Sequence, residues 1–81
     1  MEPAIAFGVV LRRLRTEAGL TQEQLGFEAD LRRTYVSILE LGQQQPTLTT
    51  ILKLARALGR SAQDLVGEVE AEIAKPRRKP R

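Results

Sequence analysis

Arg32 and Arg33 stand side by side where the apolar spacing of Tyr35, Val36 and Leu39 opens a helix. Cations at a helix N-terminus oppose the positive end of its dipole, at about 0.3–1 kcal/mol each. An anion facing that end reverses the penalty, so the pair points to an anionic partner. Thr34 and Ser37 add hydroxyls on the same side, and Gln22 opens the preceding helix with a neutral amide. Other chemistries are poorly supplied. The chain has no Cys and no His, which removes disulfides, thiolate-held zinc and the usual general base. No set of acids converges in the pattern, so Glu40 has no companion for carboxylate catalysis. The expectation is therefore no enzyme, no cofactor, no metal and no small-molecule ligand.

The elements that must position these residues are built from 81 residues, enough for one small core. Only Phe7, Phe27 and Tyr35 are aromatic, so twelve leucines must build an aliphatic interior. No apolar run approaches the roughly 20 residues of a membrane helix, and Met1-Glu2-Pro3 does not read as a signal peptide. A reducing cytoplasm is the expected location, with no membrane partner. The net charge of +3 is unevenly laid out: residues 1–60 carry +2, residues 61–74 carry −4 and residues 75–81 carry +5. The tail thus makes the high pI, and basicity alone says little about partners.

Helical periodicity runs through nearly the whole chain. Pro3 opens a first helix to about Ala18, with Phe7, Leu11, Leu14 and Ala18 on one face and Gly19 as the stop. Thr21-Gln22-Glu23-Gln24 is a capping box for a second helix through about Ala29, with Leu25 and Ala29 inward. Asp30 tolerates the left-handed turn that follows. Residues 34–38 have strand-like composition, yet helical spacing gathers Tyr35, Val36 and Leu39 on one side. Arg33, Thr34, Ser37, Ile38 and Leu41 fall on the other side, and Gly42 terminates the helix. Thr47 caps a fourth helix whose expected buried stripe is Leu48, Ile51, Leu52, Ala55 and Leu58. Ser61 and Asp64 open a fifth, with Ala62, Leu65, Val66, Val69 and Ile73 on one arc. The expected fold is all-α: a compact five-helix bundle over residues 1–74, followed by a basic, extended tail at 75–81.

Two short helices joined by a three-residue turn between Gln22 and Leu41 make a helix-turn-helix, with Gly26 where a steep crossing demands a small residue. Several motifs stand in register with this unit. They are Phe7-Gly8-x-x-Leu11-Arg12-x-Leu14-Arg15, Gly19-Leu20-Thr21-Gln22-Glu23-x-Leu25, Tyr35-Val36-Ser37-x-Leu39-Glu40-x-Gly42, Pro46-Thr47-Leu48 and Leu54-Ala55-x-Ala57-Leu58-Gly59. Residues 7–66 thereby resemble the DNA-binding domain of the phage-repressor and Cro type, the xenobiotic response element family. Arg33-Thr34-Tyr35 and the small size are closest to the controller proteins of restriction–modification systems.

The resemblance implies sequence-specific binding of double-stranded DNA, with the second helix of the motif in the major groove. It implies base contacts from Arg32, Arg33, Thr34, Ser37 and Ile38, with Arg33 set to grip guanine O6 and N7 by two parallel bonds. Thr34 and Ile38 would meet a thymine methyl. Gln22, the Gly42 amide, Gln43, Gln44 and the loop to Gln45, and Arg12 would hold phosphates. Arg15 and Glu40 would pair across helices as part of the scaffold. The chain departs from the family at Arg32, where a capping Ser, Thr or Asp is common, and at Asp30, a frequent Gly. Ile38 and Leu41 stand where many relatives are polar or basic, which keeps a second reading open: a protein-interaction module or antitoxin with an apolar patch.

The fifth helix carries more apolar surface than so small a core needs, which points to a homodimer. Leu65, Val66, Val69 and Ile73 are the expected interface. Two copies would place their recognition helices about 34 Å apart on an inverted repeat, as a homodimeric transcriptional regulator. Glu68, Glu70 and Glu72 form the expected acidic outer face. The tail adds phosphate contacts, folds onto that face, or aids solubility.

Overall fold

The computed structural model describes residues 1–76, so the expected tail lies almost entirely outside the described residues. Five helices follow in order: α1 (Pro3–Glu17), α2 (Gln22–Ala29), α3 (Arg33–Glu40), α4 (Leu48–Ala57) and α5 (Ala62–Ala74). No strand occurs among the described residues. The strand-like composition of α3 yields because Val36 and Leu39 are both fully buried only on a helical repeat.

Local chemistry sets most of the boundaries. Proline begins α1, whose first amide needs no partner. The capping box of α2 is complete: Gln24 N donates to Thr21 Oγ1 at 3.0 Å, and Thr21 N donates to Gln24 Oε1 at 2.9 Å. Thr47 and Ser61 accept from Thr50 N and Asp64 N to open α4 and α5. Asp30 ends α2 at φ 58°, the left-handed turn expected of it.

The core is aliphatic. Val10, Leu11, Leu25, Val36, Leu39, Leu54 and Leu65 are fully buried, each worth about 1.5–3 kcal/mol of transfer from water. Gly8 lets α1 touch α3 closely, since a Cβ there would lie 2.6 Å from the Leu39 and Glu40 carbonyl oxygens. Gly26 serves a similar purpose, although its close neighbour is the turn: a Cβ would come within 2.7 Å of the Leu31 oxygen.

Three packing expectations need correction. Ala6 and Val10 complete the inner face of α1, whereas Ala18 lies past the last helical turn and is exposed. In α4, Leu48 and Leu52 face solvent at 71% and 52% exposure, while Thr50, Leu54 and Ala55 are buried. The helix is rotated because Thr50 has polar partners inside: Thr47 Oγ1 donates to its hydroxyl at 3.1 Å, and Tyr35 Oη lies 3.5 Å away. A satisfied threonine can be buried without the usual penalty for a polar group. Finally, Glu72 is buried rather than on an outer acidic face, because Arg13 Nη1 reaches it at 3.3 Å.

Candidate nucleic-acid interface

Among the described residues α1 and α3 start without a side-chain cap, and only at α3 do two arginines stand at the start. Its N-cap is Arg32, which supplies no side-chain acceptor, whereas Thr or Ser caps α2, α4 and α5. The amides of Tyr35 and Val36 both donate to the Arg32 carbonyl, at 3.0 and 3.1 Å. The Arg33 and Thr34 amides have no partner among the described residues. Arg32, Arg33 and Thr34 are exposed, and neither arginine forms an ion pair among the described residues. Two free guanidinium groups, two unpaired N–H groups and the dipole therefore present donors and positive charge together. Ser37 and Ile38, farther along the helix, are half-buried and offer only part of their surface.

An open groove of about 410 Å³ lies beside this turn, lined by Arg15, Thr21, Gln22, Glu23 and Arg33. The groove thus joins the start of α2 to the start of α3. The Gln22 and Glu23 amides also lack partners among the described residues. The Gln22 side chain is already engaged, with Nε2 donating to Glu40 Oε1 at 3.0 Å. Glu40 also accepts from Arg15 Nε at 2.5 Å and from Nη2 at 3.1 Å, the cross-helix pair expected of the scaffold. Hydrogen bonding to Glu40 holds the Arg15 guanidinium above its ordinary pKa, against the opposing effect of burial. Arg15 Nη1 donates in addition to the Leu20 carbonyl at 2.8 Å, fixing the α1–α2 turn.

The loop after α3 differs from expectation at one atom. Gly42 sits at φ 73°, and its N–H donates to the Leu39 carbonyl at 3.1 Å, closing the helix. That amide is not free for a phosphate, and the Gln43 amide is likewise bound to the Ile38 carbonyl at 3.1 Å. The side chains of Gln43, Gln44 and Gln45 are exposed and keep their donors. Arg12 is exposed on α1, and it does not line the groove at the α2–α3 start.

The expected dimer residues divide in two. Leu65 is fully buried in its own chain and presents no surface to a partner, a correction to its place in the interface. Val69 packs partly against the core, while Val66 and Ile73 remain 41% and 38% exposed. Sequence reasoning missed Leu48 and Leu52, because their i, i+4 spacing equals that of a buried stripe. It also missed the Gln22–Glu40 bond, which no local spacing reports. Among the described residues no group of His, Cys, Asp and Glu could hold a metal, and no helix is long and apolar enough to cross a membrane.

Comparison with known proteins places this geometry among relatives. Residues 11–65 match the family model described as helix-turn-helix. The chain is 40% identical over 63 residues to the control protein C.BamHI of Bacillus amyloliquefaciens, covering 76% of this chain and 78% of that one. The crystal structure of the restriction-modification controller protein C.AhdI from Aeromonas hydrophila is 47% identical. It superposes with a TM-score of 0.74 over 76% of this chain and 94% of that one. The clp gene regulator ClgR from C. glutamicum, 26% identical, gives 0.85 over 94% and 99%.

Proposed function

This chain belongs to the helix-turn-helix family of DNA-binding transcriptional regulators, and on that premise we propose that α3 enters the major groove of its operator with the Arg32–Thr34 end foremost. The observation that carries the reading is the uncapped start of α3, where two unpaired arginines and two unpaired amides await an anion. Arg33 grips a guanine edge through two parallel hydrogen bonds, and Thr34 and Ile38 approach thymine methyls. Arg32 and Ser37 complete the base-facing set. Gln22 and the Gln43 and Gln44 side chains hold phosphates on either side, which fixes the register of the helix without reading sequence. Arg12 adds a peripheral phosphate contact.

The protein acts as a homodimer on an inverted repeat, with recognition helices about 34 Å apart. Exposed Val66 and Ile73 of α5 supply apolar surface for the dimer, and Leu48 and Leu52 of α4 add more. Residues 1–74 form the DNA-binding and dimerisation unit, and residues 75–81 are a basic appendage to it. Its output is control of transcription in the cytoplasm, without catalysis.

Selection of bound duplexes from a random pool tests the reading, with an inverted repeat as the expected product. On the selected site, Arg33→Ala is expected to cost about 1–3 kcal/mol and to relax preference at one base pair. Binding should weaken steeply as salt rises. An equal loss on selected and random duplexes would reassign Arg33 to phosphate, and salt-insensitive binding would overturn the electrostatic reading.

A further inference from the structure

We infer that Glu40 is a positioning residue for DNA binding, its carboxylate presetting the Gln22 amide toward a phosphate; this rests on the DNA-binding reading above. Glu40 ends α3, where a negative charge meets the negative end of the helix dipole. Its side chain is only 4% exposed. A buried carboxylate in such a place must be surrounded by donors. Arg15 supplies two of them, and that ion pair alone neutralises the charge. The third bond, from Gln22 Nε2 at 3.0 Å, is not needed for neutrality. Its consequence falls on Gln22.

A carboxylate only accepts, so the Gln22 amide must turn its nitrogen toward Glu40. One N–H is held there, and the second N–H has a fixed direction as a result. The same residue opens α2 with an unpaired backbone N–H and lines the groove shared with Arg15, Thr21, Glu23 and Arg33, where two guanidinium groups outweigh the one carboxylate. One residue thus carries two restrained donors, the backbone N–H set by α2 and the side-chain N–H set by Glu40. An unrestrained glutamine loses rotamer freedom when it binds; here Glu40 imposes that loss during folding, before DNA arrives. Both donors are neutral. They should strengthen binding to every sequence alike and leave its salt dependence unchanged.

The experiment uses the full chain and a duplex of about 20 base pairs of arbitrary sequence, titrated by fluorescence anisotropy at several salt concentrations. Gln22→Ala is expected to weaken binding by about threefold to tenfold, the value of one hydrogen bond. Gln22→Ala should leave the salt slope unchanged. Glu40→Gln also frees the Arg15 guanidinium of the same groove, so it is read as a difference, affinity falling by about threefold to tenfold more when Gln22 is present than when Gln22 is Ala. A loss from Glu40→Gln that is the same in both backgrounds makes Glu40 a scaffold residue only and overturns the inference. An unchanged affinity for Gln22→Ala also overturns it, while leaving steep salt dependence and the role of Arg33 intact. Failure of the wild-type chain to bind any duplex removes the DNA reading itself. Should Glu40→Gln not fold, nuclear magnetic resonance of the wild-type chain decides. A Gln22 side-chain amide as rigid as the backbone supports the inference, and averaging like that of exposed Gln63 overturns it.

Discussion

Gly8 illustrates how much of this molecule depends on a missing side chain. An added Cβ would press against two backbone carbonyl oxygens at the end of α3, at 2.6 Å each. Backbone oxygens in a helix end cannot rotate away, so α1 and α3 must separate. Gly8→Ala is expected to destabilise the fold by about 1–3 kcal/mol, the usual cost of overpacking, read as a lower urea midpoint. An unchanged midpoint would mean that α1 shifts at no cost. The sequence contains Gly8 inside the Phe7-Gly8 motif, but no spacing within α1 says which helix approaches it. Gly26 was more legible, because a tight turn follows within five residues and limits what can lie nearby. Even there the touching atom proved to be the Leu31 carbonyl of the turn rather than a helix face. Glu40 and Gln22 follow the same rule. Each residue type signals its chemistry, while the partner 18 positions away is set by tertiary packing.

At the scale of elements, helix starts were legible and helix faces less so. Caps are local chemistry: Thr21, Thr47 and Ser61 act within three residues of themselves. Faces depend on neighbours. The α4 stripe is displaced by about one position because Thr50 finds hydroxyl partners and can turn inward. Likewise α5 was expected to show Glu68, Glu70 and Glu72 outward, yet Arg13 of α1 takes the first and third. Arg13 Nη2 donates to Glu68 at 2.7 Å and Nη1 to Glu72 at 3.3 Å, with Lys75 Nζ 3.1 Å from the latter. Leu65 and Val69 anchor the first half of α5 by apolar contact, and Arg13 clasps the second half. Arg13→Ala therefore leaves the buried Glu72 carboxylate with only Lys75. Arg13 and Glu68 are about one-third exposed, so solvent screening limits the global loss to about 1 kcal/mol. The local effect should be larger in kind: amide exchange from Glu72 to Ala74 accelerates while that of Leu65 hardly changes. An exchange profile along α5 unchanged from wild type would show that the clasp contributes nothing.

For the whole molecule the proposed inverted repeat requires a 9.0 kDa chain to associate in pairs. The core is complete without Val66, Ile73, Leu48 and Leu52, which stay exposed on α5 and α4. These two helices pack on each other, and α4 also packs on α2, but neither packs extensively on α3. Association through them would leave both recognition helices free, which is the geometry an inverted repeat demands. The division of α5 gives a clean test. Leu65→Asp would bury a carboxylate in the monomer core and unfold it, so that variant says nothing about dimers. Ile73 is 38% exposed in the single chain, and Asp at that place can remain hydrated until a partner covers it. Ile73→Asp should keep its helical content and thermal midpoint at concentrations where wild type is monomeric. Its dimer dissociation constant should rise by about tenfold or more, the cost of desolvating an unpaired carboxylate at an apolar contact. Sedimentation at micromolar concentration reads the difference as a shift from twice the chain mass toward the chain mass. Because both half-sites must then be occupied independently, affinity for an inverted repeat falls while affinity for a single half-site does not. Identical sedimentation of variant and wild type would move the interface off the end of α5, with Leu48 and Leu52 of α4 next to substitute among the exposed apolar residues.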